Sequence, residues 1–362
     1  MEKASELEKR GMNIIHLEVG EPDFDTPACI KEAAIRALEH GQTKYSHSLG
    51  IPELREAICE SYHQNYGVTV YPEQVIVTSG TSPAMLLWFA LLLNPGDEVI
   101  LSDPHYACYP HFVRFMGGKP IMVKISEQDG FQFQPADIKA KLGKRTKGII
   151  INSPANPTGT LLSPEVMEKI AHLGPWIISD EIYHGLVYEG KAHSILEYTD
   201  KATVINGFSK LYAMTGWRLG YLIAPKNLIR PMQKMQQNFF ISANSFVQYA
   251  GLAALREAQD EVKKIVHIYN QRREFMIQGL RQLGFGIAVE PTGAFYILAN
   301  ARPFCRDDSV RFCLHILEKT GVAITPGLDF GENAEGYVRF SYANSLENIA
   351  EGMERLKAYL KS

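Results

Sequence analysis

The chain has 362 residues, enough for about two domains at roughly 100–200 residues each, and long enough to bury a core without disulfides or a structural metal. Hydrophobic residues make up 46% and charged residues 21%, which excludes low-complexity disorder and collagen-like repeats. Lysine and arginine number 37 against 40 acidic residues, a net charge of −3 without a long charged run, so nucleic acid is not an expected partner.

In chain order, the charged N-terminus lacks the apolar stretch of a secretory signal. The first forty residues are too few to fold alone and are expected to pack on a neighbouring domain. Short apolar, β-branched runs predict strands at 74–78, 98–102, 120–123, 148–152, 176–179, 203–206 and 219–224. Helical patterns at 82–93, 135–142 and 164–172 alternate with them. Continuous apolar strands separated by helices imply a mostly parallel sheet covered on both faces, so 41–245 reads as one large α/β domain. Residues 227–259 then read as a long interdomain helix and 260–283 as a second helix. Strands near 294–298, 322–325 and 337–341, with helices at 307–319 and 346–360, complete a smaller α+β domain. Residues 1–40 are expected to join 260–362 in that domain. The longest apolar run, 84–93, is far short of the roughly 20 residues that span a bilayer. The cysteines, Cys29, Cys59, Cys108, Cys305 and Cys313, form no Cys-x-x-Cys pair. A reducing cytoplasm is expected rather than a disulfide framework or zinc site.

Several motifs are set aside. No Gly-x-Gly-x-x-Gly run marks a nicotinamide site, and Gly331 and Gly336 are followed by Tyr337 and Val338 instead of the Lys and Ser/Thr of a phosphate loop. His105 and His111, flanking Tyr106 and Tyr109, read as structural, so no metal is expected. Neither Ser79 nor Ser209 sits in a Gly-x-Ser-x-Gly elbow.

The stretch that carries chemistry is 206–221, NGFSKLYAMTGWRLGY. Lys210 follows a strand among apolar and small residues. It reads either as a snorkelling surface lysine or as an amine whose pKa is lowered for nucleophilic work. Arg218, eight positions on, suits a phosphate. Residues 78–82, TSGTS, lie between a strand and a helix, where free N–H groups and hydroxyls bind anions. Asn156 lies in a turn-rich loop after another strand, and Asp180 ends a third. Each alone is also a cap or turn former. Together they supply an amine, an anion cradle, a carboxylate and an amide at strand ends, where open parallel sheets bind ligands.

On these motifs the chain resembles the fold type I, pyridoxal 5′-phosphate (PLP)-dependent class I/II aminotransferases. The resemblance runs from LEVGEPDF at 17–24, through KYSHSLGIPELR at 44–55, to YVRFSY at 337–342. It implies that Lys210 is the Schiff-base lysine and that Asp180 pairs with the pyridine nitrogen. Tyr183 and Asn156 would hydrogen-bond the phenolic oxygen, and Tyr106 would stack on the ring. Gly80, Thr81 and Arg218 would hold the phosphate. Gly207 stands where many relatives carry a phosphate-binding serine, leaving Ser209 as the nearby hydroxyl. Tyr45 would reach the phosphate of the neighbouring subunit's cofactor, which implies a homodimer. Arg339 would take the substrate α-carboxylate, with the Gly20 backbone and Asn156 beside it. The implied reaction is ping-pong transfer between an L-amino acid and a 2-oxo acid. A β-lyase or other PLP chemistry on the same fold is the alternative, and a non-catalytic PLP-sensing module the remote one. No second arginine or lysine is matched to a distal carboxylate, so the substrate side chain stays open.

Overall fold

The computed structural model describes residues 2–305 and 307–361; Met1, Arg306 and Ser362, which the expected domain ranges include, lie outside the described residues. In chain order the strands are β1 (Ile15–His16), β2 (Val75–Thr78), β3 (Glu98–Asp103), β4 (Lys119–Lys124), β5 (Thr146–Asn152) and β6 (Trp176–Asp180). They continue with β7 (Ala202–Gly207), β8 (Gly220–Ile223), β9 (Tyr296–Asn300), β10 (Val322–Ala323), β11 (Thr325–Pro326) and β12 (Tyr337–Ser341).

The central sheet has seven strands in the order β2-β8-β7-β6-β5-β3-β4. Its strands start and end within two residues of the seven expected from sequence. The reason is composition: β5 and β6 are isoleucine-rich, and Ile149, Ile150, Ile151, Ile177 and Ile178 are all buried. Such strands are covered on both faces. One face packs on a cluster containing Ile58, Val77, Ile149 and Val204, the other on a cluster containing Trp88, Leu101, Ile150 and Ile178. Strands β3 to β7 pair in parallel, whereas β8 is antiparallel to both β7 and β2. Strand β2 therefore runs with the majority, and β8 alone is reversed. Its N-terminal end lies on the same edge as the C-terminal ends of β2, β5, β6 and β7. Arg218, just ahead of β8, is brought to that edge by the reversal.

The expected helix at 227–259 is two helices, Lys226–Phe239 and Ser245–Glu257, followed by a third, Gln259–Leu283. The break has neither glycine nor proline. Phe240 closes the first helix through its N–H to the Gln236 carbonyl, and Ile241 turns the chain with φ +66°. An isoleucine at positive φ is costly, so local preference does not account for this turn, and the Ile241 side chain is exposed there. The expected strand at 322–325 also divides. Strand β10 pairs in parallel with β1, while β11 joins β12 and β9 in a three-stranded sheet. The strand expected at 294–298 lies at Tyr296–Asn300.

A separate cluster, including Leu17, Ile277, Phe295, Ile316, Phe340 and Leu356, forms the core of the C-terminal elements. The first forty residues do not pack as a block. Strand β1 belongs to the C-terminal elements, but the helix Ala28–Glu39 lies on the helix Ser245–Glu257 and adds Ile30 and Ala34 to the central-sheet core. Among the described residues no helix is long and apolar enough to cross a membrane.

Candidate active site

The loops at the C-terminal edge of the central sheet meet β9, β11 and β12 around a cleft of about 480 Å³. Lys210, in the turn between β7 and β8, donates from Nζ to the Gly20 carbonyl at 2.6 Å. Burial pushes its pKa down to about 8; Arg339 and Arg218 lower it further, while Glu21 and Asp180 oppose them. A buried ammonium is poorly solvated, and that is what turns a lysine into a nucleophile.

Asp180 ends β6 and is 3% exposed. Its Oδ2 accepts from the Tyr109 hydroxyl at 2.7 Å and its Oδ1 from the Ile182 N–H at 3.2 Å. Burial raises its pKa to about 6, and the two donors limit the rise. Asn152 ties the neighbouring loop to this strand. Its Nδ2 donates to the Asp180 carbonyl at 3.0 Å, and its Oδ1 accepts from the Asn156 N–H at 2.8 Å. The next residue, Glu181, turns to the other side. It accepts from the hydroxyls of Tyr62, Ser179 and Ser194 at 2.9–3.0 Å, and burial raises it to about 7.

Gly80 precedes the helix Thr81–Leu92, with φ +96°. The free N–H groups and dipole of this helix start suit an anion. A Cβ at Gly80 would lie 2.6 Å from Arg218 Nη2, and one at Gly220 would lie 2.8 Å from the Thr81 nitrogen. Arg218 holds φ +54°, a strained value for arginine, and donates to the Thr215 carbonyl at 2.9 Å. The two glycines let the helix start, Arg218 and the first residue of β8 approach one another closely. We expect Gly80→Ala, strained by about 1–3 kcal/mol at its backbone angles of φ 96° and ψ 173°, to weaken PLP binding at least about tenfold. A fluorescence titration of the cofactor-free protein measures it.

Arg339 on β12 is 7% exposed. Its Nη1 donates to Asn156 Oδ1 at 2.9 Å, and its Nη2 donates to the Glu18 carbonyl at 2.6 Å and to Thr325 Oγ1 at 3.3 Å. The guanidinium lies between the rings of Tyr296 and Phe330, 4.3 and 4.7 Å from their centroids. Cation–π contact with two faces fixes its plane. The Nε is buried without a partner among the described residues. A planar fork so held is matched to a carboxylate.

Of the residues expected from sequence, Gly20, Thr81, Tyr106, Asn156, Asp180, Tyr183, Lys210 and Arg339 line the cleft together. Gly80 and Arg218 meet beside it. Ser209 does not line it; its carbonyl accepts from the Met214 N–H at 3.2 Å. A Cβ at Gly207 would meet the Leu219 carbonyl oxygen at 3.0 Å, so this chain has little room there for the serine of many relatives. Tyr45 is 82% exposed. Sequence reasoning missed Tyr109, Tyr296 and Phe330. Tyr296 shares a 2.8 Å hydrogen bond with the Tyr183 hydroxyl, and Tyr109 meets Tyr106 edge-on at 5.3 Å. The one available signal was the spacing of Tyr109, three residues beyond Tyr106. The whole donor set fits PLP: a low-pKa amine, a buried carboxylate, an aromatic wall and an anion cradle at a helix start.

Comparison with known proteins agrees. The family profile for aminotransferase class I and II matches residues 12–356. A (5-formylfuran-3-yl)methyl phosphate transaminase of Methanocaldococcus jannaschii is 42% identical over 361 residues, spanning 99% of this chain and 94% of that protein. An aspartate/prephenate aminotransferase of Thermus thermophilus is 42% identical over 366 residues, with the same shares covered. The solved structure of the Thermus thermophilus aspartate aminotransferase with maleate superposes with a TM-score of 0.95 at 41% identity, covering 99% of this chain and 94% of that one.

Proposed function

Because this chain belongs to the class I and II aminotransferases, PLP enzymes that move an amino group between an amino acid and a 2-oxo acid, we propose that the cleft described above is where it does so. The observation that carries the assignment is one set of three groups: an amine lowered to about 8, a buried carboxylate and a ring-clamped guanidinium around a single cleft.

Bound PLP supplies an electron sink for the bonds at the substrate α-carbon. In our reading, Asp180 holds the pyridine nitrogen protonated, its own charge kept by the Tyr109 and Ile182 donors. The N–H groups at Gly80 and Thr81, with Arg218, hold the phosphate. Tyr106 covers the ring, and Tyr183 and Asn156 address its phenolic oxygen. Arg339 binds the substrate α-carboxylate with the Gly20 backbone beside it. Lys210, once it leaves the Gly20 carbonyl, is the general base that takes the proton from the substrate α-carbon.

Addition of an L-amino acid alone to the holoenzyme tests this reading. The expected result is one equivalent of 2-oxo acid per site and conversion of the cofactor spectrum to its amine form. Release of ammonia instead would overturn it.

Exposed Tyr45 supports a homodimer in which it reaches the partner's cofactor phosphate. A mass of twice 40.6 kDa in sedimentation equilibrium is expected, and a monomer would sink the idea. We take 41–245 as the cofactor domain and most of the remainder as the smaller one, a division that limited proteolysis checks. The cysteine spacing supports a cytoplasmic setting, which cell fractionation checks.

A further inference from the structure

We propose that Asn333 is a positioning residue for substrate binding: it clamps the turn that carries Phe330 to the end of β3, and through the Phe330 ring it fixes the plane of Arg339. The inference rests on Arg339 taking the α-carboxylate.

The two rings that sandwich Arg339 are held in different ways. Tyr296 starts β9, which pairs with β12, the strand of Arg339 itself. Phe330 lies outside that ladder, at the end of the short turn Gly327–Phe330. Its anchors come from the central sheet. The N–H of His105, next to the Tyr106 that lines the cleft, donates to the Phe330 carbonyl at 2.8 Å. Three residues further on, Asn333 is gripped by both its side chain and its main chain. Where β3 and β4 end, paired at Asp103 and Lys124, Asn333 Nδ2 donates to the Asp103 carbonyl at 3.0 Å and to the Ile125 carbonyl at 2.7 Å. Two carbonyls in reach identify that atom as the amide nitrogen. In return the Asn333 N–H is shared between the two carboxylate oxygens of buried Asp103, at 3.2 and 3.3 Å. Gly331 makes the approach possible: it holds φ +125°, and a Cβ there would collide with the Asp103 carboxylate. The amide of Asn333 thus ties the Phe330 wall of the carboxylate site to the strand whose following loop carries Tyr106. Truncating it removes both Nδ2 bonds and leaves the His105 and Asp103 contacts to the main chain in place.

Two halves of L-alanine test this, propanoate with its carboxylate alone and ethylamine with its amine alone, each titrated into the holoenzyme and followed by ligand-observed NMR. We expect Asn333→Ala to weaken propanoate about fivefold, and Phe330→Leu to weaken it about as much. The double variant should lose little more than Phe330→Leu does, since Asn333 acts through that ring. The KM for L-alanine should rise about fivefold in Asn333→Ala with kcat little changed, as for an interaction made equally in ground and transition states. Affinities for ethylamine and for PLP should stay as in the native protein, whereas a general loosening of the fold would lower them too. Propanoate affinity unmoved in Asn333→Ala, additive losses in the double variant, or matching losses of ethylamine or PLP would overturn the proposal. Propanoate binding that survives Arg339→Gln unaltered would instead sink the carboxylate assignment beneath it.

Discussion

Lys210→Ala is expected to lower the rate of the amino-acid half-reaction by about 10⁴-fold or more, since one residue serves as both cofactor anchor and general base. The variant should also lose the visible absorbance of lysine-bound PLP while keeping its fold. Among the described residues, the side-chain hydrogen bond removed is the one from Nζ to the Gly20 carbonyl. The lowered pKa adds a second signature. Only the neutral amine attacks an aldehyde, and burial places the Lys210 titration near 8. Capture of PLP by the cofactor-free native protein should therefore speed up as pH rises through about 8 and level off above it. The sign follows from the direction of the shift: an unperturbed lysine would keep accelerating capture toward pH 10 and beyond. Native turnover in Lys210→Ala, or a capture rate flat between pH 7 and 9, would refute the role.

Asp180→Asn should lower kcat by about 10²–10³-fold, the range for loss of one aligned electrostatic partner at a reacting centre. The substitution keeps the shape and removes the charge. The amide oxygen can still accept from the Ile182 N–H, and the Tyr109 hydroxyl can rotate to accept from the amide nitrogen. The fold should be unharmed, because neutralising a buried carboxylate is often neutral or stabilising when its hydrogen bonds survive. A thermal midpoint at or above that of the native protein, together with the fall in kcat, separates an electrostatic role from a structural one. An unchanged kcat would show that the charge on Asp180 does not matter to the reaction.

The central sheet was legible because its strands are buried on both faces and need continuous β-branched runs, a pattern that survives any arrangement of neighbours. The break at Ile241 was not, since a residue with no turn preference takes up the left-handed region there. The first-line site residues stand in short motifs at strand ends and could be read one by one. Tyr109, Tyr296 and Phe330 could not. Their roles come from where a hydroxyl or ring lands in space, and a buried tyrosine in an apolar context looks the same whether it packs or aligns a carboxylate.

The bonds that define the cleft join very distant parts of the chain. Lys210 to Gly20 spans 190 residues, Arg339 to Asn156 spans 183, and Arg339 to Glu18 spans 321. Closing such long loops costs entropy before any contact rewards it, so these are the last links a folding chain can secure. During refolding, helical circular dichroism should recover first and PLP capture afterwards. The chemistry of this protein is thus a late product of its folding, and a nascent or partly unfolded chain is inert toward the cofactor even when most of its helices have formed.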